Sequence, residues 1–338
     1  MNIALLGCKG TTLDLLNNIC QNGKIKISQV VTLSEENAQK NKVAFYQGNQ
    51  LKAYCSKNNI PCYVSQTYHM NNEADIAFFK ESKIDLLVTI GWERLVPSEI
   101  LQTLGKFSCG MHGSAYGLPK GRGRSPLNWS ILTEHRKFIT YLFKYDPFVD
   151  AGEIIGLKPF DINEFDTISS LHYKNRLCMQ QLLETYVPLI EKNEVVFFPQ
   201  PPLDPSFYPK RIDEDGVIDW HQKTNDIYNL VRAVSDPYPS AFTFLNNKKV
   251  IITTAFPFDT AMFDSYIEPG TILDISVSQD QFVVKTKNGS LLVTKFSGYP
   301  ILDLQTGQIF TSVNSDITLE KILERYAVDV KEEEKEIR

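Results

Sequence analysis

The sequence predicts an α/β protein: a doubly wound, mostly parallel sheet followed by a small β-rich C-terminal domain. Three observations carry this expectation. Short apolar runs alternate with helical stretches as far as Glu191, the spacing of βαβ units. Prolines then crowd between Pro199 and Pro209, a composition that favours extended chain. From Ala241 onward the pattern changes to short β runs separated by asparagine and glycine turns. The expected domains are therefore 1–195, a proline-rich linker at 196–210, and a β-barrel-like domain at 211–330.

Asn2 to Gly7 reads as a buried first strand. Gly7-Cys8-Lys9-Gly10 follows as a tight turn, with Thr11 or Thr12 capping a helix to about Asn18. The turn lacks a full dinucleotide or ATP-loop pattern. Lys9 stands at a strand end, where it reads either as a solvated lysine or as a contact for an anionic substrate. Ile25 to Thr32 is a second strand, Leu51 to Asn58 part of a helix, Pro61 to Val64 a short strand and Asn72 to Glu81 a helix. Ile84 to Ile90 is the strongest buried-strand signal, and a short helix ends at Leu101. Glu153 to Ile162 reads as a strand. Thr167 to Glu191 reads as a long helix that Pro188 should kink or stop. Beyond the linker, residues 211–220 read as a turn and short strand, and Thr224 to Val234 as a helix. Five strands follow: Ala241 to Leu245, Val250 to Ala255, Gly270 to Val277, Gln281 to Thr286 and Leu291 to Phe296. Asn246-Asn247 and Asn288-Gly289 are the hairpin turns. The charged tail, Lys331 to Arg338, is expected to fray.

Composition bounds the function. The chain has 338 residues, enough for two domains. Its net charge of −5 disfavours a general grip on nucleic acid. No apolar run is long enough to span a bilayer, and the start lacks the basic region and cleavage site of a secretory signal. Six scattered cysteines with no Cys-x-x-Cys pair give neither a zinc site nor a disulfide framework, so no metal is expected and a reduced, cytoplasmic protein is.

The stretch from Cys109 to Gly152 organises the rest. Lys106 to Met111 reads as a strand delivering His112 to its end, and a glycine-rich basic loop carries Lys120, Arg122 and Arg124. Ser125-Pro126 opens a helix, with Ser125 as its cap. Phe138 to Tyr145 is another strand, and a turn carries Asp150 beyond it. His112, Asp150 and the amide of Asn128 form a candidate proton-transfer constellation. Each also has a plainer reading, as a structural histidine, an ordinary turn residue and a helix-start support.

Together these residues resemble the signature of the folate-dependent formyltransferases, the family of methionyl-tRNA formyltransferase and the sugar-nucleotide N-formyltransferases. His112, the Gly-Arg-Gly-Arg-Ser-Pro loop, Trp129 and Asp150-Ala-Gly152 stand in that family's order. Asp85 to Pro97 looks like its pterin-binding segment, and Arg211 to Trp220, Ile227 to Ala233 and Pro237-Tyr238-Pro239 resemble the start of its C-terminal domain. The resemblance implies a Rossmann-like catalytic domain and formyl transfer from N10-formyltetrahydrofolate to a primary amine. His112 would handle the amine's proton, and Asp150 would hold the imidazole. The family usually carries Asn two residues before the histidine; here that position is Gly110, and Asn128 is the expected substitute donor. Trp92, Arg94, Leu95, Val96, Asp146 and Val149 are the expected folate contacts.

Three readings of the acceptor compete. A nucleotide-linked amino-deoxy sugar, of UDP or dTDP and 4-amino-4,6-dideoxy type, is preferred. Lys120, Arg122 and Arg124 would then meet the diphosphate, and Lys9, Ser114 and Tyr116 complete the expected substrate contacts. A methionyl-tRNA formyltransferase would ask for a basic path that this acidic chain lacks. A catalytically degenerate folate- or nucleotide-binding protein is the third reading. The remaining partner expectations are no membrane, no nucleic acid and a homodimer.

Overall fold

A computed structural model describes residues 1–145, 148–209 and 211–311 of the chain. In order, the elements begin β1 (Ile3–Leu6), α1 (Gly10–Asn22), β2 (Gln29–Leu33), α2 (Glu35–Lys40), α3 (Gly48–Lys57), β3 (Cys62–Ser65) and α4 (Glu73–Ser82). They continue with β4 (Leu86–Thr89), α5 (Ser98–Leu101), β5 (Phe107–Ser114), β6 (Arg122–Gly123), α6 (Pro126–Leu132), β7 (Lys137–Lys144), β8 (Ile154–Asp161) and α7 (Ile168–Glu191). The remainder holds β9 (Phe207–Tyr208), α8 (Thr224–Ala233), β10 (Ala241–Leu245), β11 (Lys248–Pro257), β12 (Ile272–Ser276), β13 (Gln281–Thr286) and β14 (Gly289–Ser297).

The described chain divides into two compact units. The first comprises Met1–Arg122, Ile139–Phe160 and Lys174–Ser206; the second comprises Gly123–Phe138, Asp161–Tyr173 and the chain from Phe207. Two segments ahead of residue 195, carrying α6 and the start of α7, thus group with the C-terminal strands. The segment at 196–210 is extended, as its prolines suggest, yet it is pinned rather than loose. Phe198 exchanges backbone bonds of 2.7 and 2.9 Å with Ile154 in the first unit, and Tyr208 is buried in the second.

In the first unit the sheet order is β3-β2-β1-β4-β5-β7-β8. Pairings from β3 through β5 are parallel, and β5 pairs antiparallel with β7. β1 shows why the sheet is covered on both faces. Ile3 and Leu5 pack with Leu15, Leu16 and Ile19 of α1 and Leu183 and Val187 of α7. Ala4 and Leu6 pack on the opposite side with Ala38, Phe79 and Ile100. Side chains that alternate between two apolar layers leave no polar face, which is the reason the strand reads as a continuous apolar run.

The second unit carries an antiparallel sheet in the order β10-β11-β14-β13-β12. Its two edges are joined by residues 308–311. Ile272 N–H donates to Gln308 O and Phe310 N–H to Gly270 O at one edge, and Thr311 N–H donates to Phe244 O at the other. This closure makes the unit barrel-like and satisfies edges that would otherwise be open. The stretch 312–330 and the tail at 331–338 lie outside the described residues.

Several local expectations are corrected. Neither Thr11 nor Thr12 is the cap residue of α1; Lys9 is, and the Thr12 hydroxyl accepts from the Lys9 backbone N–H at 3.5 Å while donating to Ile90 O at 2.6 Å. Ser125 is the N-cap residue of α6 and Pro126 its first residue, as expected, but Ser125 has φ 53° and its side chain makes no capping bond. α7 runs through Pro188 to Glu191, so the proline does not stop it early. The β13–β14 turn is Lys287-Asn288, one residue earlier than expected, since Thr286 pairs with Gly289. Asn246 and Asn247 do form the β10–β11 turn, both with positive φ.

Gly7 joins β1 to the turn before α1 with no room for a side chain. A Cβ there would collide with the Ile90 carbonyl and lie 2.7 Å from Thr12 Cγ2. Gly7→Ala is expected to cost about 1–3 kcal/mol of stability, read as a lower urea midpoint at unchanged slope.

Candidate active site

β5 overhangs its neighbour. Its last pairing with β4 is Gly110 to Thr89, whereas its pairing with β7 continues through His112–Tyr141 and Ser114–Ile139. Met111 to Ser114 therefore have a strand on one side only among the described residues. His112 stands on this overhang, inside the strand rather than at the end expected from the apolar run. The chain leaving β4, Gly91 to Pro97, begins where the overhang opens. Open α/β sheets hold ligands in such crevices beyond the carboxyl ends of their strands.

His112 Nδ1 lies 3.4 Å from Asp150 Oδ2, with the two side chains 12% and 18% exposed. His112 Nε2 lies 3.3 Å from Gly121 O. Both ring nitrogens thus have oxygen neighbours, which fixes the ring's plane. The expected pair is assembled from strand β5 and the turn after β7.

That turn is built for the purpose. Asp150 has φ 51°, and Gly152 approaches Lys144 so closely that a Cβ would strike its carbonyl oxygen. Gln200 donates through Nε2 to Asp150 O at 2.7 Å and Gly152 O at 3.0 Å. Its Oε1 accepts from the Arg122 guanidinium at 2.6 Å. Gln200 was not anticipated; it lies among prolines, and nothing in its local sequence signals the contact. Arg122, expected at a phosphate, is instead engaged with this glutamine, and its backbone N–H donates to Ser206 O at 2.9 Å.

The other expected contacts divide. Ser114 is buried, and its hydroxyl holds the loop by donating to Lys120 O at 2.5 Å and accepting from Tyr116 N–H at 3.1 Å. Tyr116 is 55% exposed, and Lys120 is half-buried. Lys9 is ion-paired with Glu93, so it is neither a plain solvated lysine nor uncommitted. Burial raises the neighbouring Cys8 thiol to about 12, keeping it neutral. Val149 is exposed, and Asp146 lies outside the described residues.

Trp92 offers no stacking face. It is 6% exposed, packed edge-on against Tyr68 with ring centroids 4.8 Å apart. Its indole N–H is buried without a partner among the described residues. The backbone groups of Leu95 and Val96 likewise have no hydrogen-bond partner there. Arg94 lies over the Tyr68 ring at 5.0 Å, its guanidinium bonded to Glu93 O.

In the second unit, Arg124 donates its backbone N–H to Tyr208 O at 3.0 Å. Asn128 is 1% exposed, and its amide nitrogen donates to Ala233 O at 2.7 Å. That amide ties α6 to the end of α8. A sealed group already bonded within its own unit is a poor donor for a reacting oxygen, so the expected catalytic role of Asn128 is replaced by this structural one.

Comparison with known proteins follows this geometry. The formyl transferase family model matches residues 1–186, and the model of the formyl transferase C-terminal domain matches residues 211–301. The bifunctional polymyxin resistance protein ArnA of Wigglesworthia glossinidia brevipalpis is 32% identical over 253 residues, 74% of this chain and 36% of that protein's length. The N-formyltransferase from Helicobacter canadensis, solved with folinic acid and dTDP-3-aminofucose, superposes with a TM-score of 0.60 at 18% identity, covering 88% of this chain and all of the other. HypX from Aquifex aeolicus, solved with tetrahydrofolic acid, gives 0.59 at 18% identity over 88% of this chain and 44% of its own. At that identity the two structures speak to fold. The match over 1–186, which includes the His112–Asp150 pair, decides the lineage: the chain belongs to the formyl transferase family.

Proposed function

We propose that this protein transfers a formyl group from N10-formyltetrahydrofolate to the amino group of a nucleotide-linked amino-deoxy sugar. The observation that carries the reading is the His112–Asp150 pair, held 3.4 Å apart on the overhang of β5 in a chain of this family.

The folate donor supplies an activated one-carbon unit. The chain's own groups do the rest. His112 accepts the proton that the amine must lose as its lone pair forms the new C–N bond. Asp150, across Nδ1, stabilises the imidazolium that results. The same imidazolium can return a proton to the departing nitrogen as the old C–N bond breaks, so the protons balance. The unspent backbone groups of Leu95 and Val96 and the indole N–H of Trp92 suit the polar edge of a pterin, which needs both donors and acceptors. In this reading Trp92 serves through its N–H, not by stacking, and Asp146 and Val149 are proposed to complete the folate contacts.

For the acceptor, Lys120 is the cation best suited to a diphosphate. Arg122 acts through Gln200 as a positioning group. The nucleotide sugar bound to the Helicobacter canadensis protein, and the dTDP solved with the sugar 3N-formyl transferase WlaRD, make a dTDP sugar the first acceptor to test. The folinic acid, 5-N-formyl-THF and tetrahydrofolic acid in solved proteins of this fold support the folate donor.

The test incubates the protein with N10-formyltetrahydrofolate and a panel of 3-amino and 4-amino dTDP and UDP sugars, alongside methionyl-tRNA. Formylation of an amino sugar nucleotide is expected. Formylation of methionyl-tRNA alone overturns the acceptor assignment, and no transfer with intact folate binding overturns the catalytic one. His112→Ala is expected to lower kcat about 10²–10⁴-fold, measured by product formation at saturating substrates. Lys120→Ala is expected to raise KM for the sugar nucleotide about tenfold, the loss of roughly one charge-assisted hydrogen bond, with KM for the folate unchanged.

A further inference from the structure

Formyl transfer puts negative charge on the formyl oxygen, and a donor aimed at that oxygen is a large part of what an enzyme can contribute. Asn128 does not serve, and position 110 has no side chain. The space beside Gly110 is nevertheless filled. Residues 110 and 112 lie on one face of β5, because side chains alternate along a strand. A Cβ on Gly110 would collide with the edge of the Tyr145 ring, whose Cδ2 and Cζ lie 3.0 and 3.4 Å from that Cβ position. Tyr145 sits just past β7, its N–H donating to Ser108 O at 2.8 Å, and its ring stacks on Phe143 with centroids 6.2 Å apart. Gly110 pairs with Phe143 and His112 with Tyr141, so the aromatic row of β7 and the catalytic histidine share a face.

We propose that the Tyr145 phenol is the hydrogen-bond donor to the formyl oxygen, occupying the place beside His112 that Gly110 leaves open. This rests on the formyl-transfer reading above. The Tyr145 hydroxyl has no hydrogen-bond partner among the described residues, so its proton is unspent. Burial first, and the Asp150 carboxylate second, push its ionisation above the ordinary phenol range. Both effects favour the neutral phenol, the form that donates. As the amine nitrogen adds to the formyl carbon, the C=O pair moves onto oxygen, where Tyr145 O–H meets it. The pair returns when the bond to the folate nitrogen breaks, and the phenol keeps its proton throughout. Glycine at 110 follows as a requirement: any larger residue would displace the ring.

Tyr145→Phe removes one oxygen and keeps the ring. Transfer to the amino sugar and amine-independent release of formate from N10-formyltetrahydrofolate would both be measured, with thermal melting as control. The expected result is a kcat lowered about 10²–10³-fold in both reactions, KM values within about threefold and an unchanged melting temperature. Rates within about threefold of the unaltered protein overturn the proposal while leaving the formyl-transfer reading intact. An unaltered protein inactive in both reactions overturns the formyl-transfer reading, and this one with it. Should the Phe variant unfold, protein carrying fluorotyrosine at 145 keeps the ring and the hydroxyl. Its kcat is expected to change with phenol acidity, and a rate indifferent to fluorination overturns the assignment.

Discussion

The carboxylate that faces His112 is held by a backbone that its own residue disfavours. Asp150 has φ 51°, a left-handed conformation that costs a non-glycine residue roughly 1–2 kcal/mol. Two devices hold it there. Gly152 lets the chain pass against the Lys144 carbonyl, and the Gln200 amide takes the carbonyls of Asp150 and Gly152 together. Gln200 is in turn oriented by the Arg122 guanidinium. A glutamine with its nitrogen on two carbonyls and its oxygen on a cation cannot flip its amide without facing like against like. The orientation of one amide therefore fixes the position of the carboxylate, and with it the imidazole.

This dependence explains the path of the proline-rich segment. If it were only a spacer, Phe198 would need no reciprocal bonds with Ile154, and Gln200 would be an exposed polar residue among prolines. Instead the segment completes the first unit's sheet margin at Ile154 and delivers Gln200 two residues later. Its prolines suit the task, since a chain with fixed φ loses less entropy when pinned in an extended course. In the second unit a comparable duty falls to Arg232, which is 8% exposed and donates to Asn229 Oδ1, Asn163 O and Asp166 O. Asn128, bonded to Ala233 O beside it, belongs to that framework.

What could be read from the sequence follows the range of the interactions involved. β1, β4, β10 and β13 announce themselves through apolar runs, because a buried strand needs no information beyond its own residues. The pairing of His112 with Asp150 was legible because the two stand in a recognisable order, although His112 proved to lie inside β5 and Asp150 in a turn beyond β7. The uses of Thr12, Ser114, Arg122 and Asn128 were not. Each spends its polar group on a backbone group or an amide, and Thr12, Arg122 and Asn128 each do so on a partner far along the chain. Gln200 was missed for the same reason. A tyrosine ending an apolar strand reads as core, and nothing in a glycine at 110 says that a ring thirty-odd residues onward fills its place.

The position of the site is itself a consequence of how the sheet closes. Doubly wound sheets bind ligands where strand order reverses, which here is between β1 and β4. That crevice is already crossed. Cys8 N–H donates to Gly91 O at 3.2 Å, Thr12 to Ile90 O at 2.6 Å, and Lys9 is paired with Glu93. A ligand there would have to break bonds that hold the two strands' ends together. One strand further along the constraint is absent, because β5 outruns β4 by four residues and pairs over that length with β7 alone. The bonds at the reversal root the chain leaving β4 at Gly91, while the backbone groups of Leu95 and Val96 stay unspent. An anchored loop and an overhanging strand thus follow one another at the carboxyl ends of β4 and β5. The antiparallel turn of β7 is what makes the overhang stable: without it, Met111 to Ser114 would have no sheet partner on either side.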